Sequence, residues 1–76
     1  MKNDQMENVK EKIERLGEIC GAASMMKIGE ELKNEQEIII NYLKVMNVIE
    51  IGIDGRGFYF TDEKYTDLFL EYRDNF

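Results

Sequence analysis

From Val48 to Thr61 the chain reads VIEIGIDGRGFYFT, two runs of branched and aromatic residues broken by an Asp-Gly step. Asp-Gly between alternating apolar residues is a strong short-range signal for a β-hairpin. A two-residue loop at Asp54-Gly55 sets Ile51 opposite Phe58 and Ile49 opposite Phe60 on one face. Glu50 and Tyr59 then share the other face, and Gly52 faces Gly57. A four-residue loop, Asp54–Gly57, slides the register by two and keeps the same apolar face, because strand side chains alternate with period two. The flanking segments carry helical spacing, so the expected fold class is α+β, mainly α.

Before the hairpin, three helices are expected. Met6, Val9, Ile13, Leu16 and Cys20 form one apolar stripe, which places a first helix over residues 4–19 with Gly21 as its left-handed stop. Glu11 and Arg15 stand at i,i+4 and Glu7 and Lys10 at i,i+3, both favourable pairings. Ser24 suits an N-cap for a second helix over 25–33, whose buried edge is Met25, Ile28 and Leu32, with Gly29 in its interior. Asn34 followed by Glu37 resembles a capping box and starts a third helix over 35–46. There Ile38, Ile39, Tyr42, Leu43, Val45 and Met46 fall in one apolar arc. Ile40 sits out of place beside the polar Glu37, Asn41 and Lys44, and Asn47 is a left-handed stop. After the hairpin at 48–61, Thr61 caps a last helix over 62–74. Tyr65, Leu68, Phe69, Tyr72 and Phe76 make an aromatic-rich stripe on it, with Leu70 pointing away.

Seventy-six residues make a single domain over 1–76. A chain this short buries only about 60% of its unfolded surface, so its core is thin. The apolar fraction of 43% is that of a globular protein. No apolar run approaches the ~18 residues that span a membrane, and the first residues are polar, so neither a membrane segment nor a signal peptide is expected. A lone cysteine, Cys20, forms no internal disulfide, which fits a reducing cytoplasmic setting.

Ile28, Gly29 and Leu32, then Ile39, Leu43 and Met46, then Ile49–Ile53, Gly55–Gly57, Phe58–Phe60 and Thr61 together resemble a winged helix-turn-helix domain of the small prokaryotic transcription-regulator type. The likeness runs from about Ser24 to Asp74, with Met1–Gly21 matching the usual first helix. It implies three helices, a β-hairpin wing and a C-terminal helix. It also implies DNA binding, with the third helix in the major groove and the wing on the backbone. Carried onto this chain, the base-facing residues are Gln36, Glu37, Ile40, Asn41 and Lys44, the wing contact is Arg56, and Ser24 and Lys27 touch phosphate. The expected ligand is double-stranded DNA, held by a homodimer.

Charge complicates that expectation. Sixteen acids against ten bases give −6, whereas phosphate neutralisation supplies most of the energy of DNA binding. By segment the balance is −1 over Met1–Glu18, −2 over Ile19–Phe60 and −3 over Thr61–Phe76, so no segment is basic. The alternative is an acidic winged-helix module that binds a protein and not DNA. The surface charge around the third helix separates the two: a positive patch favours DNA and a mixed one favours protein. Tyr65, Phe69, Tyr72 and Phe76 are the candidates for a dimer interface, or else core against the first helix. Without histidine and with one cysteine, zinc sites and Cys-His or Ser-His catalysis are excluded. No enzyme activity, metal or cofactor is expected.

Overall fold

A computed structural model describes residues 2–53, 55 and 57–75 of the chain, with side chains from Met6 onward. Among these the order is α1 (Lys2–Met25), α2 (Glu30–Val45), β1 (Ile49–Ile51), β2 (Phe58–Phe60) and α3 (Glu63–Asp74). The coarse expectation of a mainly helical α+β chain with one hairpin therefore holds. The helix boundaries do not.

α1 runs past Gly21, the expected stop, for a further turn. Ile19 and Ala22 are buried beside Val9, Ile13 and Leu16, so ending the helix at Gly21 would pull Ala22 out of the core. Ser24 does not cap a second helix. It lies inside α1 and its hydroxyl donates back to the Gly21 carbonyl at 2.7 Å, the local bond that serine makes in a helix interior. Met6, expected on the buried stripe, is 59% exposed.

The expected helices over 25–33 and 35–46 are replaced by a loop and one helix. Residues 26–29 form the loop, with Ile28 buried beneath it. Gly29 is the N-cap of α2, in extended conformation, rather than a helix-interior glycine. Asn34, read as a cap, is in mid-helix. The reason lies in packing: Leu32, Gln36, Ile39 and Leu43 recur at 4, 3 and 4, and only an unbroken helix lays all four on one face toward α1. Asparagine in the interior costs only about 0.7 kcal/mol against alanine. Arg15 of α1 fastens the same junction, its Nε donating to Glu35 Oε2 at 2.6 Å and its Nη2 to Oε1 at 3.0 Å. Arg15 approaches Glu18 at 3.8 Å, not the expected Glu11.

α2 closes as its sequence suggests. Asn47 has φ 62°, the left-handed conformation that asparagine tolerates. Its N–H donates to the Lys44 carbonyl at 3.0 Å, and the Val48 N–H donates to the Leu43 carbonyl at 2.9 Å. That pair of bonds is a Schellman motif, completed by the burial of Leu43 and Val48.

The hairpin takes the register of a two-residue loop, with Ile49 opposite Phe60, Glu50 opposite Tyr59 and Ile51 opposite Phe58. Gly52 N–H donates to the Gly57 carbonyl at 2.8 Å, and Gly55 turns the chain with φ +71°. On the outer face the Tyr59 hydroxyl donates to Glu50 at 2.6 Å. Thr61 does not cap the last helix. Its hydroxyl reaches the carbonyls of Asn47 and Val48 at 3.0 and 3.1 Å, tying the return strand to the end of α2. Asp62 caps α3 instead, accepting from the Lys64 N–H at 3.0 Å.

α3 packs chiefly along α1. A Cβ on Gly17 would stand 2.8 Å from the Phe69 carbonyl oxygen and 2.9 Å from Tyr72 Cβ, so the two backbones meet at that glycine. Phe69 is 9% exposed. Its ring lies 5.8 Å from Phe58 and 5.3 Å from Phe60, centroid to centroid, and cements α3 to the hairpin. Phe69 is thus core and is not available to a dimer interface. Tyr65 and Tyr72 are half-buried, Leu70 is half-buried against the core rather than pointing away, and Phe76 lies outside the described residues. Among the described residues, no helix is long and apolar enough to cross a membrane.

Candidate recognition surface

α2 steps about 100° per residue, and α1 takes the face carrying Leu32, Ile39 and Leu43. Three consecutive isoleucines, 38 to 40, then span about 200° of the helix, so they cannot all be buried. Ile39 is 2% exposed. Ile40, expected on the polar side as a partner contact, is half-buried and packs on the core. Ile38 and Val45, expected inside, are 66% and 79% exposed. The apolar arc is rotated because the fused helix adds Leu32 to one end of it.

A cleft of about 610 Å³ opens where the 26–29 loop meets α2. Four of the expected contact residues line it: Lys27, Gln36, Glu37 and Ile40. Ile28 and Ile40 form its floor, and Met26 forms a wall that is 59% exposed. Lys33 completes the mouth. Gln36 is half-buried, and its amide donates to the Cys20 sulfur at 3.4 Å. Sulfur is a weak acceptor, so this amide holds an exchangeable partner. Burial pushes the Cys20 thiol pKa up, with the Gln36 bond opposing it, which suits a packed thiol rather than a reactive one.

The other expected contacts are placed differently. Asn41 and Lys44 are exposed on the outer face of α2, beyond the cleft. Ser24 is exposed on α1, with its hydroxyl engaged by Gly21. Arg56 lies outside the described residues. Residue patterning does not single out Lys33 or Met26 as contacts, because the cleft they line exists only where the loop and α2 meet.

The charge of this surface is mixed. Lys27, Lys33 and Lys44 are exposed, and so are Glu30, Glu31 and Glu37. None of these six makes an ion pair within 4.0 Å among the described residues. Glu35 is offset by its ion pair with Arg15 at 2.6 Å, whose guanidinium also lowers the carboxyl pKa and keeps it ionised. Among the described residues, no group of three or more potential metal ligands converges. No protein-family model, curated protein or solved structure matches the chain.

Proposed function

We propose that this chain is a winged-helix recognition module of the cytoplasm that docks on a protein partner. α2 is the presented helix and the hairpin is the wing. The observation that carries the reading is the outward face of α2. Ile38 and Val45, 66% and 79% exposed, stand on a helix whose exposed charges are mixed, Lys33 and Lys44 with Glu30, Glu31 and Glu37. Two exposed branched residues seven positions apart share one face of the helix, and interfaces combine such apolar anchors with a mixed polar rim. Order along the chain supports the wing part, with the hairpin between a presented helix and a packing helix; the separate second helix that the resemblance implies is absent, its residues divided among α1, the 26–29 loop and α2. No catalytic role is proposed.

A second reading, double-stranded DNA, is favoured by Lys27, Lys33, Asn41 and Lys44, all exposed along the loop and α2. Fluorescence anisotropy of a labelled random-sequence duplex, titrated at low and moderate salt, separates the two. Docking on protein predicts no association at low salt. Association that weakens steeply with salt would transfer the surface to nucleic acid. In parallel, capture from cell extract is compared between the native chain and Val45→Glu. A partner retained by the first and lost by the second supports docking. Equal retention by both would remove α2's outward face from the interface.

A further inference from the structure

The cleft beside α2 carries a more specific reading than the helix face does, and this inference rests on the docking proposal. Its floor and one wall are apolar, from Ile28, Ile40 and Met26. Methionine is an adaptable wall for side chains of varied shape. The mouth carries two ammonium groups, Lys27 and Lys33, and one carboxylate, Glu37. No ion pair occupies either lysine among the described residues. In a chain of net charge −6, the lining of this concave apolar site carries two lysines against one glutamate, a small cationic excess within a surface that is otherwise mixed. Gln36 adds a polar group at the inner wall whose amide is spent on a weak sulfur acceptor. A mostly apolar concavity with a few placed polar groups is the usual composition of a ligand site, and 610 Å³ lies within the usual size range of about 300–1,000 Å³.

We infer that this cleft receives a segment of the partner protein in which a large apolar side chain is flanked by acidic residues. The apolar side chain fills the space over Ile28 and Ile40. A flanking carboxylate meets Lys27 and Lys33. The Gln36 amide exchanges its sulfur contact for a carbonyl of the bound segment. Glu37 disfavours a second acid at its own side of the mouth, so the flanking charge is directional.

The test uses two blocked pentapeptides with a central phenylalanine, one flanked by glutamates and one by lysines. Each is titrated into the isotopically labelled full chain and followed by amide and side-chain NMR shifts. The glutamate-flanked peptide is expected to bind at least tenfold more tightly, with shifts confined to the 26–29 loop, Gln36 and Ile40. In the Lys27→Glu, Lys33→Glu variant the preference reverses. Both lysines are exposed, so the fold is retained, and an unchanged spectrum elsewhere checks it. Equal affinity for the two peptides, no binding of either, or shifts centred instead on a second concavity between α1 and α3, lined by Met6, Lys10, Lys64 and Leu68, would overturn the inference. Val45→Glu leaves peptide binding unchanged, because Val45 is on the opposite edge of α2. Loss of partner capture in Val45→Glu and reversal of the peptide preference in the lysine variant therefore report on the two proposals separately.

Discussion

Gly17→Ala pits local helix propensity against tertiary packing. Within α1 alone, alanine should stabilise the helix by about 0.8–1 kcal/mol over glycine. The neighbouring helix decides otherwise. The new Cβ would lie 2.8 Å from the Phe69 carbonyl oxygen, 2.9 Å from Tyr72 Cβ and 3.2 Å from the Arg73 nitrogen. Two of these are backbone atoms of α3, so no rotamer change relieves the contact. α3 must withdraw by about half an ångström or more, and a gap of that size forfeits about a quarter of each dispersion well across the contact. Overpacking of this kind costs about 1–3 kcal/mol. Taking the upper part of that range, because backbone must move, and subtracting the propensity gain leaves a net loss of about 1–2 kcal/mol. For a domain of this length that lowers Tm by about 5–15 °C. Thermal unfolding followed by circular dichroism measures it, and the near-ultraviolet signal of Tyr72 and the Phe58–Phe60–Phe69 cluster reports on the shift of α3. A Tm that rises by a few degrees would mean that propensity wins and that the two helices do not meet at Gly17.

At Gly29 the balance is opposite. No atom lies within 4 Å of a Cβ there, and the residue is an extended N-cap without a side-chain bond. Gly29→Ser is expected to stabilise the chain by about 0.5–1 kcal/mol, through a capping bond and a less free unfolded state, read as a higher denaturation midpoint. Asn47→Ala places a Cβ-bearing residue without a local polar side chain at φ 62°; a loss of about 1–2 kcal/mol is expected in chemical denaturation, while Asn47→Gly stays near the native value. The Arg15–Glu35 pair contributes through a carboxyl whose pKa is depressed in the folded chain. Its contribution is therefore present above the ordinary glutamate range and is lost as pH falls through the depressed value. With side chains 44% and 39% exposed, solvent screening limits it to about 0.2–1 kcal/mol. Glu35→Gln should cost that much at neutral pH and nothing at strongly acid pH, in paired melts.

Much of this fold is legible in the residues because local and tertiary preferences agree. The apolar face of the hairpin follows from one turn signal and a period of two, whereas the register depends on the loop length, which those residues leave open between two and four. Asn47 stops α2 because asparagine tolerates left-handed backbone and Val48 has a buried place to go. Other elements are illegible where the two preferences conflict. Asn34 followed by Glu37 has the chemistry of a helix start. Yet Leu32 and Ile39 gain more from one shared face on α1 than a cap at Asn34 provides. Ser24 likewise has the chemistry of a cap and spends its hydroxyl inside α1. Gly17 carries no sequence signal at all, since its use depends on the path of α3, fifty residues away. The cleft is half legible: Lys27, Gln36, Glu37 and Ile40 are expected contacts on other grounds, and only the fused helix brings them to one concavity with Lys33.

That fusion also explains why a chain with so thin a core leaves branched residues outside. An unbroken α2 can present one face to α1, and Leu32, Ile39 and Leu43 occupy it. Ile38 and Val45 are then carried to the far side by the helical period. Burying them instead would require rotating α2 about its axis, which would expose Ile39 and Leu43, 2% and 0% exposed as the chain stands. It would also pull Glu35 from Arg15. The exchange gives no net burial of apolar surface and loses an ion pair, so the chain alone has no means of covering Ile38 and Val45. Replacing both with lysine should therefore leave Tm within about 0.5 kcal/mol equivalent of the native chain. If those two substitutions instead destabilised the isolated chain markedly, the two residues would be serving its own fold, and the case for a docking face on α2 would fall with them.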